Sequence, residues 1–218
     1  MPHGEETERF ERLLKRRGTG VEGNAEIERE IFERYQDHCA VLVLDSSGFT
    51  RLTQTHGIIH FLALVVDMRS RLLPVFQQHG ALMVWFEADN LYAVFPEALP
   101  AVQAALAAQL TMAEANNNRS EEERLDICVG IGAGRLLRIG TENIYGHQMN
   151  LASKLGEDCA ESGDVLITED AWNEIADHVD GLYGELRTVR VSGVDIPYRK
   201  LKLGCDAERV TQSISRLK

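Results

Sequence analysis

The chain has 218 residues, 44% hydrophobic and 26% charged, and its 34 acidic against 23 basic side chains give a formal net charge of −11. This length accommodates one generous domain, or one domain with an extension, and a core that needs neither disulfides nor metals as staples. The acidic balance excludes a surface that coats nucleic acid while leaving room for a local phosphate pocket, and no run approaches the ~20 apolar residues of a membrane span.

Met1 to Gly23 is polar, charge-rich and punctuated by Gly18, Gly20 and Gly23, which predicts a frayed helical arm (1–23) with little to bury. Asn24 is placed to cap a lead-in helix (24–39) whose Ile27, Ile31 and Phe32 share one face, packed against its own core or against a partner chain. Ala40–Leu44 predicts a buried strand running into Asp45-Ser-Ser-Gly-Phe-Thr50. Leu52–His79 reads as one helix, bent where Pro74 falls. Leu82–Phe86 and Leu91–Phe95 predict a hairpin about Asp89-Asn90. An alanine-rich helix over Ala98–Ala115 follows, then a strand over Leu125–Ala133 with glycines at 130, 132 and, just beyond, 134. A helix at Gln148–Asp158, a strand at Val165–Thr168 and a helix at Ala171–His178 come next. Arg187–Val191 and Tyr198–Leu203 alternate as a closing hairpin, and a tail (205–218) ends the chain. The order predicts an α+β fold: a ferredoxin-like βαββαβ core (40–204) with extra αβ elements, a mixed sheet with helices on one face. Cys39, Cys128, Cys159 and Cys205 lie far apart with no CxxC pair, so they read as free thiols. With no charged-then-apolar leader at its start, the chain is expected in the cytoplasm.

Asp45 ends one predicted strand and Asp89 sits in the turn of the next hairpin. If those strands are neighbours, both carboxylates leave the same sheet edge as a hard-oxygen site suited to Mg²⁺. Gly48 permits close backbone approach, and the amides of Phe49 and Thr50 open a helix whose unpaired N–H groups suit an anion. Each aspartate taken alone reads as a cap or turn residue, and it is the rest of the pattern that changes this.

Four blocks carry a resemblance: Asp45-Ser-Ser-Gly-Phe-Thr50, Glu87–Phe95, Gly130-Ile-Gly-Ala-Gly134 and Tyr145–Leu155. In this order and at these distances they resemble the class III nucleotidyl cyclase domain, over about Ala40 to Leu203. The resemblance implies the class III cyclase fold and conversion of a nucleoside triphosphate to a 3′,5′-cyclic monophosphate and pyrophosphate. It implies Mg²⁺ or Mn²⁺, two per active site, on Asp45, Asp89 and the Ser46 carbonyl, with Gly48, Phe49 and Thr50 holding phosphates. Asn150 and Lys154 fall on the family's transition-state pair, and positions four apart share a helix face. In the family the metal aspartates and this pair come from opposite subunits, which implies a homodimer with shared active sites and neither nucleic acid nor membrane as partner.

Trp85 stands where family adenylate cyclases place a purine-reading lysine, and Asn143 stands where its partner, aspartate or threonine, falls. A flat apolar wall with one N–H suits a pyrimidine, and some bacterial members make cyclic CMP or cyclic UMP in anti-phage signalling. Equally, Trp85 turns into the core and the base, ATP's included, is held by backbone alone. Lys154 replaces an arginine and forgoes its bidentate fork. Ala88 and Asn90 replace glycines, with Asn90 expected to carry the turn. The late loop Val191-Ser-Gly-Val-Asp195 offers no phosphate-binding lysine. These departures keep open an inactive, cyclase-like module that binds nucleotide or dimerises, with a polymerase-like role a distant third.

Overall fold

A computed structural model describes residues 3–20, 23–141, 143–179, 181–191 and 193–203; Cys205, the tail 205–218 and Ser192 of the late loop lie outside the described residues. Two helices, α1 (His3–Arg17) and α2 (Ala25–Tyr35), lead into β1 (Gln36–Ser47), α3 (Phe49–His56) and α4 (Ile58–Gln78). The hairpin β2 (Met83–Glu87) and β3 (Asn90–Phe95) precedes α5 (Ala98–Asn116), β4 (Asp126–Ile139) and the short β5 (Asn143–Tyr145). Then come α6 (His147–Ser153), prolonged by a π-helical turn at Lys154–Cys159, β6 (Val165–Thr168), α7 (Glu169–Ile175), β7 (Leu182–Val191) and β8 (Val194–Leu203).

The strands form one sheet in the order β2-β3-β1-β4-β6-β8-β7, with β5 on the end of β4. All pairings are antiparallel except β4 with β6, so the sheet is mixed and the fold α+β, as predicted. Central β1 is buried on both sides from Cys39 to Leu44, which explains why its apolar run does not alternate. Ala40, Leu42 and Leu44 join a large core with Met68 and Phe76 of α4 and Ala101 and Ala105 of α5. Cys39, Val41 and Val43 face the other way, into a smaller core closed by Ala152 of α6. Helices therefore cover both faces, which corrects the one-face expectation.

The glycines of β4 explain how α6 can lie there. A β-carbon on Gly130 would stand 2.1 Å from the Ala152 carbonyl oxygen, and one on Gly132 would stand 2.5 Å from that of Gln148. Backbone thus rests on backbone, with no side-chain layer between.

Five further expectations change. The Leu52–His79 helix starts earlier, at Phe49, and breaks at Gly57 (φ +83°), while Pro74 is accommodated inside α4. The hairpin turn is Ala88-Asp89, because Glu87 pairs with Asn90. It is Ala88, at φ +50°, that adopts the left-handed conformation, not Asn90. Asn24 caps α2 as expected, accepting from the N–H groups of Glu26 and Ile27, yet Phe32 stays exposed while Ile27 and Ile31 are buried. The arm does bury apolar groups: Phe10 (8% exposed) and Leu13 (3%) pack with Ile27, Ile31 and Tyr35, and Arg34 donates to Glu6 at 2.6 Å. Cys39, Cys128 and Cys159 are free thiols, the first two buried. Among the described residues no helix is long and apolar enough to cross a membrane.

Candidate active site

The two aspartates meet because β1 outruns its neighbour. Pairing of β1 with β3 stops at Leu44–Leu91, whereas pairing with β4 continues to Ser47–Asp126. Asp45 and Ser46 therefore project beside the β2–β3 turn. Ser46, itself buried, donates its hydroxyl to Asp89 Oδ2 at 2.6 Å. Asp45 is half-buried, and its pKa is pushed up to about 6, first by burial and then by the charge of Asp89. A hydrogen bond from the Ser46 N–H opposes that rise, and the charge of Glu157 adds to it. Two carboxylates held so close are what a divalent cation relieves, and hard oxygen donors of this kind fit Mg²⁺ or Mn²⁺. Among the described residues no group of three or more His, Cys, Asp or Glu side chains could hold a metal, so remaining ligands would be backbone oxygens, water or substrate.

The next residues turn this edge into a cradle. Gly48, at φ +110°, caps α3 without a side-chain bond, and Phe49 and Thr50 are exposed at its start. N–H groups of a first helical turn have no intrahelical acceptor. Arg51, which sequence reading did not single out, donates to the carbonyl oxygens of Glu121 (3.1 Å) and Arg124 (2.7 Å). Its guanidinium lies 2.9 Å from where a Gly48 β-carbon would stand, so a fixed cation flanks the cradle.

Asn150 and Lys154 ride on α6, with the Lys154 N–H donating to the Asn150 carbonyl oxygen. Asn150 is exposed. Lys154 Nζ is bound to Asp158 Oδ2 at 2.6 Å, which raises the lysine pKa. The cation is present but engaged.

Trp85 and Asn143 line one cavity of about 280 Å³. Trp85 stacks on Tyr92 with centroids 5.1 Å apart and planes 11° from parallel, so it forms a wall and does not turn wholly into the core. Tyr92 donates its hydroxyl to Glu157 Oε1 at 3.1 Å and accepts from Asn90 Nδ2 at 3.4 Å. Glu157 is exposed as a residue, yet the partial desolvation of its carboxyl group against the cavity wall raises its pKa, opposed by the Tyr92 bond. Tyr92 and Glu157 were not singled out from sequence. The available signals were weak: Tyr92 follows Asn90 at strand spacing, and Glu157 lies seven residues beyond Asn150 at helical spacing.

Beside the cradle, Phe49, Ile58, Ile59, Leu62 and Val66 leave an apolar stripe exposed on α3 and α4, Ile59 at 77% and Val66 at 63%. A contiguous exposed apolar stripe of this kind is a candidate contact surface.

Residues 32–193 match the family described as adenylate and guanylate cyclase catalytic domain. Among curated proteins, putative adenylate cyclase 3 of Rhizobium meliloti (strain 1021) is 25% identical over 155 residues. That match takes in 69% of this chain and 26% of the relative, so the chain spans about a quarter of that protein's length. Among solved structures, an adenylate/guanylate cyclase/hydrolase from Silicibacter pomeroyi aligns with a TM-score of 0.67 at 22% identity, over 78% of this chain and 98% of that one. The adenylyl cyclase CyaB from P. aeruginosa aligns at 0.64 and 20% identity, over 77% and 94%. These structures agree in fold with the sheet and helices described above.

Proposed function

The chain belongs to the adenylate and guanylate cyclase catalytic domain family, and on that premise we propose that it converts a nucleoside triphosphate to a 3′,5′-cyclic monophosphate and pyrophosphate in the cytoplasm. The observation that carries this reading is the acid pair: Asp89, held by the Ser46 hydroxyl at 2.6 Å, beside Asp45, whose pKa its charge raises, at the mouth of the α3 cradle. Asp45, Asp89 and the Ser46 carbonyl would hold two divalent ions, Mg²⁺ or Mn²⁺, which when bound neutralise the attacking and leaving oxygens. Backbone amides from Gly48 to Thr50 hold the β- and γ-phosphates. The ribose 3′-oxygen bonds to the α-phosphorus as the bond to the pyrophosphate oxygen breaks, and the hydroxyl proton passes to solvent. Asn150 orients the ribose; Lys154, released from Asp158, neutralises charge growing on the α-phosphate. Trp85 and Asn143 bound the base, in a pocket compatible with a pyrimidine, giving cyclic CMP or cyclic UMP for anti-phage signalling, or with ATP.

A homodimer completes the site, with the acid pair from one copy facing Asn150 and Lys154 of the other. The exposed stripe from Phe49 to Val66, adjoining the cradle, supports such a contact. Free buried thiols accord with a reducing cytoplasm. The test is incubation of the purified chain with Mn²⁺ and each of ATP, GTP, CTP and UTP, with products identified by mass spectrometry. A cyclic product that vanishes in Asp45→Ala and Asp89→Ala supports the reading; no product from any of the four refutes it. Trp85→Lys should shift preference toward ATP if this wall reads the base. One observation favours a second reading, nucleotide binding without turnover: Lys154 is already engaged by Asp158. Calorimetry showing tight binding with no product would select it.

A further inference from the structure

The cavity beside β2 and β5 is lined by carboxylates, an amide, the Ser153 hydroxyl, aromatic rings and apolar groups, and by no Lys, Arg or His. Its flat wall, the near-parallel Trp85–Tyr92 stack, suits the face of a planar ring. Glu157 comes to this wall from the π-helical turn after α6, although 65 positions separate it in sequence from Tyr92. A relay fixes it: Asn90 Nδ2 donates to Tyr92 Oη, and the Tyr92 hydroxyl donates to Glu157 Oε1. The second carboxylate oxygen has no hydrogen-bond partner among the described residues. An ionised carboxylate only accepts, so the atom it pairs with must be a donor.

Ring edges divide on this point. Cytosine and adenine carry an exocyclic amino group, two N–H donors, where uracil and hypoxanthine carry a carbonyl oxygen. An amino group satisfies the free oxygen of Glu157, whereas a carbonyl sets two acceptors against each other in a site without a cation to separate them. We propose that Glu157 determines base choice, so that the pocket takes a base bearing an exocyclic amino group: cytosine in preference to uracil, and adenine in preference to hypoxanthine. This rests on the cyclase reading and narrows it, because of the two pyrimidine products it retains only cyclic CMP. Asn143, on the same lining, presents an amide that can donate to the neighbouring ring nitrogen.

The experiment compares two amino/oxo pairs, CTP with UTP and ATP with ITP, in the full-length chain with Mn²⁺. It adds calorimetric binding of the corresponding 3′-deoxy triphosphates with Ca²⁺, which cannot be cyclised. Wild type should favour the amino member by about tenfold in kcat/KM or Kd, the low end for a charged hydrogen bond because Glu157 is exposed at the rim. Glu157→Gln, nearly isosteric and able to donate, should bring the ratio to unity or below. Tyr92→Phe, which frees the carboxylate from its tether, should weaken discrimination while leaving the fold intact by circular dichroism. Equal use of both members by wild type, or a ratio unchanged in Glu157→Gln, overturns the proposal. If no nucleotide is cyclised yet 3′-deoxy-CTP binds more tightly than 3′-deoxy-UTP in a Glu157-dependent way, the cyclase reading fails and this one stands. Binding of neither overturns both.

Discussion

Replacing Gly130 by alanine puts one methyl group between α6 and the sheet. Its carbon would stand 2.1 Å from the Ala152 carbonyl oxygen and 2.5 Å from the Gly156 nitrogen, both main-chain atoms that no rotamer can withdraw. Real β-carbon contacts do not fall below 3.0 Å, so α6 has to lift from β4 by roughly 1 Å. Overpacking of this kind costs about 2 kcal/mol, which for a chain of this size lowers the melting temperature by about 4–8 °C. On the proposed function the same lift carries Asn150 and Lys154 out of register, and a 1 Å misplacement of catalytic groups costs on the order of 100-fold in rate. Thermal and urea unfolding, together with turnover in Mn²⁺, measure both effects. Gly4→Ala in α1, whose β-carbon meets nothing within 4 Å, is the control and should not lower the melting temperature. If Gly130→Ala melts with the control and turns over at the wild-type rate, the backbone-on-backbone argument is wrong.

Ala88→Gly should stabilise the chain by about 1 kcal/mol, because it relieves a left-handed alanine (φ +50°); an unchanged or lowered urea midpoint would refute that strain. Glu6 is held below its ordinary pKa of 4.5 chiefly by its hydrogen bond from Arg34. A depressed carboxylate contributes above 4.5 and stops contributing as pH falls through its lowered folded value, so hydrogen-exchange protection of α1 should decline on acidification below 4.5, and Glu6→Gln should abolish that dependence.

Much of this was legible from the residues. The helix over Ala98–Ala115 is extended by only one residue, and Val165–Thr168 is β6 from end to end, because composition and breakers agree at those places. Asp45, near the end of β1, and Asp89, in the β2–β3 turn, belong to neighbouring strands, the condition on which the paired-carboxylate reading depended. The break at Gly57 was hidden because the apolar residues of α3 and α4 continue across it. The burial of Phe10 and Leu13 was masked by the charges around them, and the second core by the absence of alternation in a strand covered on both sides. Asn90 was the better candidate for a left-handed turn on intrinsic preference, but the register of β2 with β3 places Ala88 there instead. Glu157 and Tyr92 meet only in three dimensions, and the local spacing that relates each to a motif residue is too weak to mark it.

Where main chain touches main chain, as along Gly130 and Gly132, there are no torsions to readjust, and the machinery on α6 is set as rigidly as a jig. The Trp85–Tyr92 wall is the opposite kind of surface, built of side chains and not of main chain. If the proposed site is right, the parts that would choose a base and the parts that would align the reaction are built from different material. A scaffold divided in this way can acquire new substrates while keeping its chemistry.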